Sequence, residues 1–283
     1  MKLSDARIRT AMILGMVIAS SAGCTLVNKI RAKNQLNEAA RAYKENRRAD
    51  AEQHARRALE LDPNNKVAPI FIARILHAQY VSGVDTPENI AKAKEAIAAY
   101  QKILQNDPNG PNSDEAYKAV AALYGAIKEE QKLRDWIGQR ANNPNVPTER
   151  RAEAYAVLAG KDWYCSFEIT ERPESKQVQT GGTTKVVYKR PKDAKDFDTA
   201  QKCSTQGLEE ANRAIQLDPN NEPAWSYMMS LYTEKAKLAE MDGKMDQKAQ
   251  YEKKADDARK QDVVLTKRKE EAAAAASPGP ATQ

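Results

Sequence analysis

Histidine, cysteine and aromatic residues are scarce in this 283-residue chain, which has two histidines, three cysteines and 6% aromatic residues. His54 and His77 do not stand at zinc-ligand spacing with each other or with a cysteine, so the sequence predicts no metal site. It shows no glycine-rich phosphate loop after a strand, no nucleophile elbow and no paired acid and base among its scattered carboxylates. We therefore expect no cofactor and no catalytic residue, and hence a protein that is not an enzyme.

A segregated basic surface is also missing. The chain carries 45 basic and 39 acidic residues, a formal net charge of +6, and the two signs alternate closely, as in "EKKADDARK". Nucleic-acid-binding proteins more often gather their basic residues on one face, so we expect no nucleic-acid partner. The 30% charged residues and the few aromatic ones favour long, solvent-exposed helices over a large β core.

No hydrophobic run near the N-terminus is long enough to cross a bilayer comfortably. The run Ala11 to Ala22, "AMILGMVIASSA", falls short of the ~20 residues that a transmembrane helix requires. It follows the basic segment "MKLSDARIRT", an arrangement typical of an export signal. The sequence therefore predicts a signal peptide over residues 1–23.

The end of this leader, "SAGC", resembles the lipobox of bacterial lipoproteins. The resemblance implies that Cys24 receives a lipid, that cleavage precedes it, and that residues 24–31 form a tether. Several acyl chains would hold the protein stably on a membrane. Thr25 stands where an Asp would signal retention in the inner membrane, so the expected location is the outer membrane, facing the periplasm. An ordinary signal peptide and an uncleaved anchor are the alternatives.

Two cysteines remain after Cys24. In an exported chain an even remainder favours a disulfide, here between Cys165 and Cys203. If the leader is not an export signal, two unpaired thiols are the default.

The pentapeptide "LDPNN" occurs twice, at 61–65 and at 217–221, each time after an alanine-rich helical pattern. The 34 residues from 32 to 65 resemble one tetratricopeptide repeat (TPR), a helix-turn-helix unit. Ala39, Ala51 and Ala58 occupy the places where two helices cross closely, and Pro63 stands where the second helix must end.

Four further units follow in near register. The resemblance implies an all-α, right-handed α-solenoid of the TPR type, with about five helix pairs over residues 32–265. Residues 266–283 are expected to be a charged helix end and a disordered tail. A generic helical bundle is the alternative.

An insertion over residues 163–203 interrupts the fourth unit, where 48 residues separate Ala159 and Gly207 and a repeat needs about 12. Its segment "KQVQTGGTTKVVYK" predicts a β-hairpin with a two-residue Gly-Gly turn. Cys165 is expected just after the unit's first helix, and Cys203 just before or within its second. The hairpin could shield an edge or dock a partner. The aromatic residues at its base could form a local core or a ligand pocket.

TPR proteins hold peptides or helices of partners on a concave surface lined by the first helix of each unit. Mapped onto this sequence, the resemblance implies the following groove residues: Tyr43, Lys44, Ile70, Arg74, His77, Lys118, Trp163, Tyr164, Ser226 and Ser230.

These features together predict a lipid-anchored envelope scaffold that binds envelope proteins or peptides through the groove, with the hairpin as a second candidate contact. The alternative is an accessory ligand- or glycan-binding protein of cell-envelope biogenesis or transport, with the ligand near Trp163 and Tyr164.

Overall fold

The computed structural model describes residues 25–181 and 183–276, and in these ranges it has ten helices and one two-stranded sheet. The chain divides into two compact units, Met1–Leu133 and Arg134–Gln283. The helices are α1 (25–44), α2 (Arg48–Leu61), α3 (Ala68–Gln79), α4 (Pro87–Asn106), α5 (Ser113–Ala126), α6 (Glu130–Asn142), α7 (Thr148–Thr170), α8 (Ala194–Leu217), α9 (Glu222–Met241) and α10 (Met245–Ala276). The strands are β1 (Lys176–Gly181) and β2 (Thr183–Tyr188).

The helices follow one another as five consecutive pairs, from α1–α2 to α9–α10. In the first compact unit α2 packs on α3, α3 on α4 and α4 on α5. Packing between neighbours along the chain is the pattern of stacked repeats and differs from that of a closed bundle. The expected all-α fold of TPR-type helix pairs, with a β-hairpin in the fourth, is confirmed.

Alanines form the close helix contacts of the first pair. Ala39, Ala51 and Ala58 are fully buried, as the repeat pattern predicts. Ala58 packs with Ala32 and with Ala68 of the next helix, and leucine side chains surround this contact. Because alanine has only a methyl side chain, the helix backbones can approach closely there.

The two "LDPNN" joints fold alike. Each ends a helix: the Asp62 amide donates to the Ala58 carbonyl (3.0 Å), and the Asp218 amide donates to the Ala214 carbonyl (2.9 Å). In each, an Asn side chain also accepts from the amide three residues later, at 2.9 Å from Asn65 and 3.0 Å from Asn221. Asn221 is the N-cap of α9, whereas the N-cap of α3 is Val67. One short sequence thus stops one helix and starts another.

The turns inside the first, third and fifth pairs share a geometry that the sequence pattern did not predict. Asn46, Lys128 and Gly243 each adopt a left-handed conformation, with φ of 60°, 60° and 70°. Each donates its amide to the carbonyl three residues earlier, and the next amide donates to the carbonyl five residues before it. This is a helix C-cap of the Schellman type, followed at once by the next helix.

The N-terminal end of the described chain differs from the sequence expectation. Residues 25–31, interpreted above as a tether, are already part of α1. At the other end α10 stays helical to Ala276. Cys24 and the leader, like residues 277–283, lie outside the described residues. None of the helices in the described part of the chain is both long and apolar enough to span a membrane.

The insertion consists of longer helices as well as the hairpin. Cys165 lies inside α7, which continues to Thr170, so the expectation that it follows the helix was wrong. Cys203 lies inside α8 and is bonded to Cys165, with their Cα atoms 6.0 Å apart. The expected disulfide is therefore present. In the chain-entropy model, closing a loop of this length stabilises the fold by about 4 kcal/mol.

The hairpin register differs from the predicted two-residue turn. Thr180 pairs with Thr184, and Val178 pairs with Val186. An odd number of residues therefore separates the partners, whereas a Gly-Gly turn would leave an even number. Gly181 stays within the ladder, paired with Thr183, so the predicted Gly-Gly turn was wrong. The shift decides which side chains share a face.

Candidate functional site

The predicted groove residues of the first compact unit lie mainly on α1, α3 and α5. Tyr43 is partly exposed and contacts Phe71 edge to face, with ring centroids 5.9 Å apart. Lys44 is exposed beside it. Ile70 is only 4% exposed, so its assignment as a groove contact was wrong: its side chain is part of the core between helices.

Arg74 and Glu115 form a two-pronged ion pair between α3 and α5, with Nε–Oε1 2.6 Å and Nη2–Oε2 2.5 Å. The hydrogen bond between them raises the pKa of Arg74 and lowers the pKa of Glu115. Lys118 pairs with Asp114 one turn earlier on α5 (2.7 Å). Arg74 and Lys118, two of the cations expected to contact a partner, are therefore already paired with carboxylates of their own unit.

His77 packs its ring edge-on against Tyr100, with centroids 6.0 Å apart. Its Nδ1 lies 3.4 Å from the Tyr100 hydroxyl. Burial lowers the pKa of His77 and raises the pKa of Tyr100 to about 12. Both groups are neutral at pH 7, so His77 adds no charge to the surface of α3.

The second compact unit contains an aromatic cluster on α7 and α9. Trp163 lies 5.1 Å from Phe167, 6.2 Å from Tyr227 and 6.4 Å from Tyr164, measured between ring centroids. Gly160 makes room for Tyr227, because a Cβ there would lie 2.5 Å from its ring. Most of the cluster is partly buried and forms a local core, whereas Tyr164 is exposed to solvent.

The exposed part of this cluster follows one stripe of α7. Tyr164 is 53% exposed, and Val157, two turns earlier, is 48% exposed. Gly160 lies between them, and Lys161 and Glu168 flank the stripe. Sequence reasoning identified Tyr164 but missed Val157 and Tyr227, although the helical spacing of 157, 160 and 164 was a signal. We call this surface, formed by Val157, Gly160, Tyr164 and Tyr227, the aromatic stripe.

Ser226 and Ser230, the predicted groove positions of α9, are engaged with each other. The Ser230 hydroxyl donates to the Ser226 carbonyl at 3.0 Å, a bond within the helix. The Ser230 hydroxyl therefore uses its hydrogen on its own helix rather than on a partner.

The hairpin is held on the end of α7 and on α9 by Glu171. Its Oε1 accepts from Lys237 (2.7 Å) and from the Tyr188 hydroxyl (3.1 Å), and its Oε2 pairs with Lys176. Burial alone would raise the pKa of Glu171, but the hydrogen bonds from Lys176 and Lys237 lower it to about 2. The Tyr188 amide also donates to Glu240 of α9 (3.1 Å). The base of the hairpin is therefore fixed, whereas the paired Val178 and Val186 farther along are exposed.

A buried pair of acidic residues joins α7 and α8, and no sequence pattern predicted it. Arg134 donates to both oxygens of Asp162 (2.7 and 2.9 Å) and to Glu210 (3.0 Å). Asp162 is 4% exposed and Glu210 8%. Burial and the neighbouring Asp162 raise the pKa of Glu210 to about 8. One guanidinium thus faces two carboxyl groups, and the Glu210 carboxyl keeps its proton at neutral pH.

Within residues 25–181 and 183–276, no three side chains of His, Cys, Asp or Glu are grouped closely enough to hold a metal ion. A polar cleft of about 630 Å³ runs along one face of α8, where acidic, basic and amide side chains alternate. A second cavity, of about 360 Å³, lies between the first "LDPNN" joint and the link that connects α4 and α5.

No family model and no curated protein sequence matches the chain. Among solved structures, it is similar to MamA residues 41 to the end from Desulfovibrio magneticus RS-1, with 13% identity, 81% of this chain and 96% of that chain covered, and a TM-score of 0.34. A tetratricopeptide repeat protein from Parabacteroides merdae shows 15% identity, 83% and 93% coverage, and a TM-score of 0.33. The TPR2AB domain of yeast Sti1, solved in complex with pHSP90, shows 15% identity, 80% and 98% coverage, and a TM-score of 0.33. At these values no ligand or role transfers to this chain.

Proposed function

We propose that this protein is a non-catalytic scaffold of the cell envelope that binds other proteins or peptides and is held on a membrane by lipid attached to Cys24. The aromatic stripe on α7 is the observation that carries the binding role. The leader sequence and its "SAGC" end support the anchor and the outer-membrane location. The Cys165–Cys203 disulfide supports an oxidising compartment.

The aromatic stripe has the features of a protein-binding surface. Tyr164 and Val157 expose apolar area in a row, and charged side chains flank that row. Exposed apolar patches with polar rims mark interaction sites, and aromatic side chains dominate binding energy in such sites. The backing by Trp163 and Phe167 holds Tyr164 in place, which reduces the entropy lost on binding.

The row also suits a helical or extended partner segment. Val157 and Tyr164 lie two helical turns apart on the same face of α7, a separation of about 10 Å along the axis. Apolar side chains of a bound peptide recur at similar distances. Tyr227 widens the surface toward α9, so contacts would extend over two repeats.

Site-specific photo-crosslinking in the native cell tests this proposal. We expect a photo-reactive phenylalanine analogue at Tyr164 to trap one or a few envelope proteins. The same analogue at Lys253, exposed on α10, is the matched control and should give no discrete adduct. Equal adduct patterns at the two positions, or none at either, would contradict the proposal.

A Tyr164→Ala variant separates protein binding from glycan binding, the alternative considered for this surface. Because Tyr164 is half exposed, its removal should weaken partner capture at least about tenfold while leaving the fold intact. Binding of envelope glycans by the purified chain, lost in the same variant, would instead favour the accessory ligand-binding role.

A further inference from the structure

An aromatic side chain covers the second "LDPNN" joint, and the first joint has no such cover. In the second joint the indole of Trp225 lies over the turn, and its Nε1 donates to the Pro219 carbonyl at 3.0 Å. In the first joint the residue at the same place is Pro69, which has no donor and a much smaller side chain. The first joint therefore lacks the aromatic cover that the second one has.

Four observations indicate that Pro69 and Trp225 are equivalent. Each is the fourth residue after its joint. The third residue after each joint, Ala68 or Ala224, is fully buried, and its amide donates to the last Asn side chain of the joint. The tenth residue, Ile75 or Leu231, is fully buried as well. The backbone hydrogen bonds of the two turns also coincide, since Asn65 donates to Asp62 at 2.9 Å and Asn221 donates to Asp218 at 3.0 Å.

An open cavity of about 360 Å³ occupies the uncovered place. Pro63, whose carbonyl is the counterpart of the Pro219 acceptor, lines it together with Pro69, Ile70 and Ile103. Polar side chains also line it, among them Asn106 and Asn112 near the link between α4 and α5, and the charged residues Lys66 and Asp107. An apolar floor with a few hydrogen-bonding groups is the usual composition of a ligand pocket, and the volume lies within the range of such pockets.

We propose that this cavity binds the side chain of a tryptophan presented by a partner polypeptide. The indole ring would cover the prolines and isoleucines, and its N–H would donate to the Pro63 carbonyl, as Trp225 does at Pro219. A buried indole N–H needs an acceptor, and this cavity supplies one together with the amide oxygens of its wall. The three tryptophans of the sequence, Trp136, Trp163 and Trp225, lie on α6, α7 and α9 and do not line this cavity, so the proposed occupant is a tryptophan of a partner.

The test is a titration of the full chain with N-acetyl-L-tryptophanamide, followed by NMR of the backbone amides. We expect shifts centred on Asn64, Asn65 and Ile70, with a dissociation constant on the order of 1 mM for so small a probe. The N1-methylated probe lacks the donor and should bind at least about fivefold more weakly. Binding elsewhere, no binding, or equal binding of N-acetyl-L-leucinamide would overturn the proposal.

Two variants test the equivalence of the joints, one by filling the cavity at the first joint and the other by opening a cavity at the second. Pro69→Trp should fill the cavity from within and abolish the shifts caused by the probe. Trp225→Ala should open the second joint, so that the same probe now shifts the amides of Asn220 and Asn221. If Trp225→Ala gains no such shifts, the inferred role of the indole is wrong. Since the aromatic stripe takes no part, Tyr164→Ala should leave these titrations unchanged, and the proposals can fail independently.

Discussion

At the scale of single residues, the buried pair of Asp162 and Glu210 makes the second compact unit sensitive to pH. Arg134 supplies one positive charge for two carboxyl groups, so only one of them can be ionised without cost. The folded chain keeps a proton on Glu210 up to about pH 8, whereas the unfolded chain releases it near its usual value of 4.5. Between these values, raising the pH favours unfolding, because the unfolded state binds fewer protons.

Replacing Glu210 by Gln should therefore flatten the pH dependence of stability. In the unaltered chain we expect the free energy of unfolding to fall between pH 5 and pH 9, by on the order of a few kcal/mol, and Glu210→Gln should lose much less. Urea denaturation at several pH values measures this. Glu209→Gln, an exposed neighbour on α8, is the control and should keep the slope. Identical slopes in all three chains would contradict the prediction.

Buried polar residues explain why the sequence predicts that the first helix of the fourth pair ends before Cys165. The buried face of α7 continues through Asp162, Ser166 and Thr170, at helical spacing. All three are polar, so they interrupt the apolar periodicity from which a helix is identified. Their burial depends on distant groups, as when the Thr170 hydroxyl donates to Glu234 of α9 at 2.6 Å. Such pairings cannot be derived from local pattern.

At the scale of elements, the shared left-handed turn shows how the same connection is built from different residues. It uses asparagine in the first pair, lysine in the third and glycine in the fifth. Only glycine adopts this conformation without steric cost, and asparagine tolerates it better than lysine. Nothing in the residue types around Lys128 predicts a positive φ, so this turn was not found from the sequence.

A pair of glycine substitutions tests the cost of this conformation. Gly243→Ala should lower the free energy of unfolding by about 1 kcal/mol, because an L-residue is strained at a φ of 70°. Gly138→Ala, in the middle of α6 with open space around its Cβ position, should raise it by about 0.5–1 kcal/mol. Thermal or urea denaturation distinguishes the two. Equal effects would mean that the turn of the fifth pair is not a constraint.

At the scale of the whole molecule, the number of helix pairs was predictable because alanines and prolines recur at fixed spacing. The second and fourth pairs depart from this regular spacing, because the links between their two helices are longer. In the second pair Asn89 fastens the link, as its side chain bonds the backbone of Val81 and Val84 at 2.7 to 2.9 Å. The repeat spacing located both insertions in the sequence. Each insertion is held in place by single polar side chains, and the spacing does not predict which groups those side chains bond.

The anchor is also a property of the whole molecule, and Cys24→Ser tests it. If Cys24 carries lipid, the unaltered protein should partition into the detergent phase of a cloud-point extraction. The variant lacks the acceptor thiol, so it should move to the aqueous phase or keep its uncleaved leader. Intact-mass measurement distinguishes these results. Detergent partitioning and mass unchanged by the substitution would mean that lipid is not attached at Cys24.

The disulfide turns the hairpin and the facing ends of α7 and α8 into a closed covalent ring. Cys165 and Cys203 join the ring to the rest of the chain, and residues 166–202 run between them. A protease that cuts one peptide bond inside the ring therefore opens it without dividing the molecule. Both fragments stay joined through sulfur and separate only when the bond is reduced, so the exposed hairpin can be cut without release of either part.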